Sequence, residues 1–134
     1  MEIIIKIDES ERMIPINDEG CHVSKYARVF DDTCIGWTKD AEYNLEYLWE
    51  LQRIASEKLI AQGYLFLNDI YDMLGIPKSK AGQLVGWLYD PDNEERDNWV
   101  HFGIEEKHNY KFINGYENTA ILDFNVDGVI IDKL

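Results

Sequence analysis

The sequence predicts one α+β domain over residues 1–134, in which one long amphipathic helix and one or two short helices pack on a small, mostly antiparallel β-sheet. Three patterns predict this class: β-branched residues at the N-terminus, a long helical repeat of apolar residues in the middle, and a hairpin signal near the C-terminus. The aromatic share of 13% favours a packed core, because acidic disordered chains are poor in aromatic residues.

Two short strands are predicted at the N-terminus. Residues 2–7 are rich in isoleucine, and residues 12–16 are placed to return beside them. Because Pro15 has no N–H to donate, the second strand must lie at a sheet edge or break there. Residues 17–36 show no regular period, and we expect a loop with one short element.

A long helix is predicted over residues 38–62. Thr38 suits the N-cap position, and Gly63 supplies the left-handed residue that ends a helix. Six apolar residues recur at three- and four-residue spacing: Ala41, Leu45, Leu48, Leu51, Ala55 and Leu59. Four more widen the apolar surface: Tyr43, Tyr47, Trp49 and Ile54. We therefore expect this helix to be covered on more than one side.

Residues 67–88 have the pattern of a helix-turn-helix. A short helix over 67–75 would begin at Asn68 and end at Gly75, and a second would follow over 78–88. The start of the second helix carries the side chains that could reach DNA: Lys78, Ser79, Lys80 and Gln83. Gly82 and Gly86 loosen that helix, and the negative charge of the chain opposes contact with phosphates. Two short helices packed on the core are the favoured interpretation, and nucleic-acid binding is disfavoured.

The C-terminal third is predicted to form strands. Residues 99–104 alternate, with Val100 and Phe102 on the buried face. Residues 120–126 and 129–131 flank Asp127-Gly128, which is typical of a hairpin with a type I′ turn. Asp123, Asn125 and Asp127 also match the first half of a calcium loop, but position twelve is Leu134 instead of glutamate. The hairpin needs no metal and is the favoured interpretation.

The charge is strongly negative and concentrated near the C-terminus. The net charge is -13, and residues 90–134 contribute eleven acids and four bases. Such a field repels phosphate backbones and attracts basic surfaces. Rings beside acids around residues 87–102 could form a protein-binding face, with these candidates: Trp87, Tyr89, Asp90, Asp92, Glu94, Glu95, Asp97 and Trp99. Such rings more often belong to the core, together with Phe102, and the core is the favoured interpretation.

No motif for catalysis or cofactor binding was found in the sequence. The candidate soft ligands have spacings that match no zinc motif: Cys21, His22, Cys34, His101 and His108. A nucleophile elbow, a phosphate loop and a dinucleotide fingerprint are missing, so we expect a non-enzymatic protein without a cofactor. The N-terminus lacks the basic region of a signal peptide, and no apolar run is long enough to span a membrane. A cytoplasmic location is therefore expected.

Three segments of the C-terminal half carry a family resemblance: YLFLNDIYDMLGIP at residues 64–77, AGQLVGW at 81–87 and LDFNVDG at 122–128. Over roughly the last 70 residues the chain resembles a family of uncharacterised small proteins encoded by phages and prophages of Firmicutes. The family has no established activity, so the resemblance implies a mobile-element context and assigns no residue a role.

Charge, missing motifs and resemblance together favour a non-enzymatic acidic interaction protein of phage or prophage origin. It would bind a basic, nucleic-acid-handling host protein and block its substrate channel, as a counter-defence inhibitor does. Two alternatives stay open: a phage structural or assembly protein, and a small DNA-binding regulator that uses the helix-turn-helix residues.

Overall fold

A computed structural model describes residues 23–134 in full and residues 2–7 and 12–17 by their backbone. The chain folds as an α+β structure, as predicted, and every strand pairing among the described residues is antiparallel. The strands are β1 Glu2–Ile7, β2 Arg12–Asn17, β3 Arg28–Phe30, β4 Tyr64–Phe66, β5 Val85–Leu88, β6 Ala120–Leu122 and β7 Gly128–Val129. The α-helices are α1 Ala41–Gln62, α2 Leu67–Leu74 and α3 Tyr110–Ile113, and one-turn 3₁₀ helices cover Ala81–Gln83, Lys107–Asn109 and Ile131–Lys133.

The strands form three small sheets. The N-terminal pair β1–β2 is confirmed, and Pro15 lies opposite Ile4 in this two-stranded sheet, on an edge strand as Pro15 requires. One short element was expected within residues 17–36; in the described part of that range, residues 23–36, strand β3 is such an element, and it pairs with β6. The third sheet has the order β4-β5-β7.

The main core is built from helices, strands and irregular segments together. Fully buried side chains come from α1 and α2, from β4 and β5, and from residues 100–104. Phe124 packs edge-on against both Tyr71 and Phe102, with ring centroids 5.9 and 5.4 Å away. Each such side chain contributes roughly 1.5–3 kcal/mol through burial, so this cluster holds the C-terminal third against α2.

The long helix is confirmed, but its predicted cap is wrong. Helix α1 begins at Ala41, and the Asp40 carboxylate caps it by accepting hydrogen bonds from the N–H groups of Glu42 and Tyr43 at 3.0 and 3.2 Å. Thr38 instead binds the side chain of Asn44 through its N–H and its hydroxyl. Gly63 ends the helix at φ 86°, as predicted.

The predicted second helix of the helix-turn-helix is wrong. Helix α2 ends at Gly75 as expected, but its predicted cap, Asn68, instead pairs with the backbone of Ser79. The following chain forms a single 3₁₀ turn and then β5. Gly86 explains the strand: a Cβ there would lie 2.0 Å from the Leu65 carbonyl oxygen, so the close approach of β5 to β4 requires glycine.

The predicted C-terminal hairpin is also wrong. Strand β6 pairs with β3 and strand β7 pairs with β5, so residues 120–122 and 128–129 lie in different sheets. The reason lies in Asp127, whose carboxylate accepts the N–H of Leu88 at 2.9 Å and lies 3.4 Å from the Arg96 guanidinium. These contacts hold Asp127 against β5 and the loop that follows it, and prevent a local two-residue turn.

Residues 99–104 form no strand among the described residues, which corrects the predicted strand. Gly103 has a φ of 67° and Ile104 lies in a turn. The predicted alternation of faces is confirmed, because Val100 and Phe102 are buried and His101 is exposed. The N–H groups of Val100 and Phe102 donate to side chains of α1 and take no part in a strand ladder.

No helix among the described residues combines the length and apolar character that a membrane crossing requires.

Candidate functional site

The segment of residues 99–105 runs antiparallel along one side of α1. Three contacts fix it: Ser56 Oγ accepts from the Val100 N–H at 3.0 Å, Gln52 Oε1 accepts from the Phe102 N–H at 2.8 Å, and the Trp49 indole N–H donates to Glu105 at 2.7 Å. The hydrogen-bonding residues Trp49, Gln52 and Ser56 recur at three- and four-residue spacing, so they lie along one edge of the helix. Residues 99–105 therefore run along this edge from the buried Ser56 to the exposed Trp49.

That exposed side of α1 carries large apolar side chains. The exposed fractions are 50% for Tyr43, 43% for Trp49, 40% for Ile54 and 42% for Ile60. The prediction that α1 is covered on more than one side is therefore wrong for these positions. Tyr43 also stacks on the half-buried Tyr47, with ring centroids 6.2 Å apart and planes 10° apart. We call the exposed surface of residues 42–60 the outer face of α1.

The outer face of α1 also carries charge. Its exposed charged residues are Glu42, Glu46, Glu50, Arg53, Glu57 and Lys58, a net of -2. Arg53 forms ion pairs with Glu50 and Glu57, and the hydrogen bond from this guanidinium lowers the pKa of the Glu50 carboxyl. Exposed pairs of this kind contribute little to stability. Within the described residues, Glu42 and Glu46 have no ion pair, so their carboxylates face solvent.

The aromatic residues predicted as partner anchors around residues 87–102 lie mostly inside the protein. Trp87 and Phe102 are 0% exposed, whereas Tyr89 and Trp99 are half-buried. Trp87 is held inside by its indole N–H, which donates to Asn125 Oδ1 at 2.9 Å. The prediction of exposed rings is therefore wrong for Trp87 and Phe102, and the core alternative holds for them.

The acids predicted beside these rings do face solvent. The exposed carboxylates are those of Asp90, Asp92, Glu94, Glu95 and Asp97, and we call residues 90–98 the acidic loop. Its one base, Arg96, turns inward, with 18% of its side chain exposed, toward Asp127. Asn98, at φ 56°, closes the loop by accepting from the Asp90 N–H and donating to the Asp90 carbonyl. The loop begins where the Tyr89 N–H binds Gly63, at the C-terminal end of α1.

The three candidate calcium ligands each bind a different part of the protein. Asp123 accepts from the N–H and the hydroxyl of Ser24 at 2.9 and 2.6 Å. Asn125 accepts from Trp87 and from the His101 N–H, and Asp127 holds Leu88. These oxygens satisfy protein donors, so the calcium-loop interpretation has no support in the geometry.

No group of three or more His, Cys, Asp and Glu side chains is placed to hold a metal within the part of the chain that the structure describes. Cys21 and His22, two of the candidate zinc ligands, lie outside the described residues. Cys34 is buried, and its thiol lies 3.5 Å from the Val29 carbonyl oxygen.

The residues predicted to contact DNA do not share a recognition helix. Ser79 is buried, and its hydroxyl accepts from the Gly82 N–H at 2.9 Å, so it stabilises the turn. Lys78 and Lys80 lie in the exposed chain before the 3₁₀ turn, and Gln83 ends that turn. The helix on which the DNA-binding hypothesis depended is replaced by β5.

A small cavity lies beside the first half of α1. Its volume is about 220 Å³, and its lining residues are Glu105, Glu106, Lys107, Tyr110, Ile113 and Asn114. Glu105 connects the cavity to the outer face of α1 through its bond to Trp49. Sequence reasoning missed both features. The sequence signal for the outer face was the presence of large apolar residues at 43, 49 and 54. These positions lie outside the single apolar stripe that packs on the core.

Comparison with known families gives one match. A family model described as a family of unknown function (DUF6353) matches residues 2–134. The chain belongs to this family. The match includes residues 2–63, which lie before the three segments that carry the sequence resemblance, and the family description gives no activity. Neither the curated proteins nor the solved structures gave a match.

Proposed function

We propose that this member of the family is a non-enzymatic interaction protein that binds a basic protein through the outer face of α1. The observation that carries the proposal is a set of large apolar side chains exposed along α1, in two rows on either side of its exposed charged residues. Two groups of exposed carboxylates lie beyond them. The acidic loop lies at one end of the segment that borders α1, and Glu105 and Glu106 lie at the other.

The arrangement has the composition of a protein interface. Interfaces combine an apolar centre, rich in tyrosine and tryptophan, with a polar rim. Tyr43 and Trp49 would supply aromatic anchors, and the charged side chains between them and the carboxylates at both ends would supply the polar contacts. Rim charges mainly raise the association rate and select the sign of the partner, so a net charge of -13 favours a basic partner.

A finer proposal follows from the same charge. A protein that handles nucleic acid has a positively charged channel, and an acidic surface can occupy that channel in place of phosphates. We place the protein in the host cytoplasm as a counter-defence inhibitor of phage or prophage origin. The three C-terminal segments that resemble phage and prophage proteins support this origin.

A phage structural or assembly role is the second proposal, and a second exposed surface favours it. The C-terminal apolar patch consists of Leu84, Val129, Ile131 and Leu134, with exposed fractions of 43–61%. Its parts are held together because the Leu84 carbonyl accepts from the N–H of Ile130. This role predicts self-association that Ile131→Asp weakens, measured by sedimentation velocity over a range of concentrations. A monomer at every concentration would contradict it.

Capture of partners from a lysate of the source organism tests the leading proposal. The double variant Trp49→Ala, Ile54→Ala removes two exposed side chains of the outer face, and Ile131→Ala is the matched control on the C-terminal apolar patch. We expect a basic protein to be retained by the wild type and the control and lost from the double variant. The amount of this protein that is retained should decrease as the salt concentration rises from about 0.1 M to about 1 M. The reason is that the Debye screening length shortens from about 10 Å to about 3 Å.

Two results would contradict the proposal. Either no protein would depend on Trp49 and Ile54, or the proteins that depend on them would be acidic and insensitive to salt. Circular dichroism of each variant checks that the fold is intact, since truncation of exposed side chains costs little stability.

A further inference from the structure

The cavity beside α1 is large enough for one side chain of a partner and too small for most small-molecule ligands. Its volume is about 220 Å³, whereas ligand pockets usually measure roughly 300–1,000 Å³. It lies next to the outer face of α1, because Glu105 both lines it and accepts the hydrogen bond of Trp49. An occupant would therefore come from a protein already bound to that face.

The lining has two chemical parts. Tyr110 and Ile113 give an apolar wall, and 65% of Tyr110 is exposed. Glu105 and Glu106 add two exposed carboxylates, and Lys107 reduces the net charge of the lining to -1. A matching side chain has an apolar stem and a cationic head.

We propose that this cavity receives an arginine side chain of the basic partner. The inference rests on the proposed function and names the chemistry by which that partner is recognised. Arginine fits better than lysine because its planar guanidinium can stack on the Tyr110 ring and bind a carboxylate through two N–H groups. Trp49 positions one such carboxylate, since its indole N–H holds Glu105 at 2.7 Å.

Small probes test the cavity without the partner. N-acetyl-arginine-N-methylamide would be titrated into the ¹⁵N-labelled full chain, with the citrulline derivative as the uncharged control of the same shape. For the arginine probe we expect saturable chemical-shift changes at residues 105–114 and at the Trp49 indole N–H. The citrulline probe should bind about two- to fivefold more weakly, which is the factor that an exposed ion pair contributes. The Trp49→Phe variant assigns the indole signal.

Charge variants of the lining give opposite expected effects. Glu106→Gln should weaken binding of the arginine probe about two- to fivefold, and Lys107→Gln should strengthen it by a similar factor. Both side chains are exposed, so neither variant is expected to disturb the fold. Tyr116→Ala, on an exposed side chain outside the lining, is the control and should leave the affinity unchanged.

Each opposite result would overturn the inference. Equal shifts with citrulline, shifts spread over the surface, or no shifts at all would remove the cationic site. Equal affinity for N-acetyl-lysine-N-methylamide, titrated in the same way, would overturn the choice of arginine. The proposed function would survive these results if capture of a basic protein still depended on Trp49 and Ile54, so the two failures are distinguishable.

Discussion

Trp87 and Trp49 both lie near carboxylates, and their surroundings differ in one decisive way. The Trp87 indole N–H donates to Asn125 inside the protein, and the ring is 0% exposed. The Trp49 indole N–H donates to the exposed carboxylate of Glu105, and the ring is 43% exposed. In residues 87–99 the carboxylates are therefore exposed and the Trp87 ring is buried. On the outer face of α1, carboxylates and the Trp49 ring are both exposed.

The difference shows that a tryptophan ring is buried or exposed according to the partner that its N–H finds in the fold. The acids next to it in the sequence do not decide this. Asn125 is reached only through the tertiary fold, 38 residues after Trp87. Its amide also accepts the His101 N–H and donates to Asp97 and to the Trp99 carbonyl. A half-buried amide with four partners holds the ring inside and leaves the neighbouring acids outside. The Trp49 indole N–H binds the exposed carboxylate of Glu105 instead.

The largest expected effect separates the two tryptophans by stability. Trp87→Ala should lower the free energy of unfolding by about 3–5 kcal/mol, because it leaves a cavity in the core. Trp49→Ala should cost less than about 1 kcal/mol, because the ring is exposed and its hydrogen bond is to a solvated carboxylate. Urea unfolding followed by circular dichroism measures both values. Equal losses would contradict the contrast between the two regions.

The next effect concerns the amide that buries Trp87. Asn125→Ala leaves the indole N–H of the buried Trp87 without its acceptor, at a cost of about 1–3 kcal/mol, whereas the N–H of the exposed His101 can bind water. We therefore expect a loss of about 1–3 kcal/mol in urea unfolding. Asn114→Ala is the control, since its exposed amide donates to the Tyr110 carbonyl.

Added calcium should not change the wild-type stability, because the three candidate ligands bind protein donors. A stabilisation by calcium that Asp123→Ala abolishes would restore the metal-site interpretation.

The smallest effect concerns Tyr47, which lies between the outer face of α1 and the core. Burial, and then the neighbouring Tyr43 and Cys34, raise the pKa of Tyr47 above its usual 10.0. A raised pKa in the folded state means that its contribution to stability is complete below about pH 10 and is lost as the pH rises through the folded value. Tyr47→Phe should therefore lose less stability than the wild type on going above pH 10.

Urea unfolding at a series of alkaline pH values measures this difference, with Tyr116→Phe as the control at an exposed position. Identical alkaline profiles for the Tyr47 and Tyr116 variants would show that Tyr47 ionises as freely in the folded chain as in the unfolded chain.

Local periodicity was enough to predict part of the fold. The apolar spacing predicted α1 and Gly63 predicted its end, although its start was placed too early, and the isoleucine-rich residues 2–7 predicted β1. The alternation at Val100 and Phe102 gave their burial correctly, although side chains of α1 replace the strand ladder there. In each case the information lies within a few residues of the element it predicts.

Long-range contacts decided what sequence reasoning got wrong. The Asp127-Gly128 pair has the local signature of a hairpin turn, but the Asp127 carboxylate binds Leu88, 39 residues earlier. Gly86 was interpreted as a loosened helix, whereas the approach of Leu65 requires glycine in a strand. Composition predicts a basic partner, which stays a prediction, but it placed the exposed rings in the wrong region. The outer face of α1 became visible only from side-chain exposure.

Photo-crosslinking at two matched isoleucines tests whether a basic protein binds to the outer face of α1. A benzophenone amino acid would replace Ile54 on the outer face of α1 or Ile131 on the C-terminal apolar patch, two positions with exposed fractions of 40% and 48%. In a lysate of the source organism, we expect a crosslink from position 54 to a basic protein, and its yield should decrease at high salt. We expect no such product from position 131. A crosslink to the partner from position 131 alone, or from neither position, would contradict the assignment of the binding surface to α1.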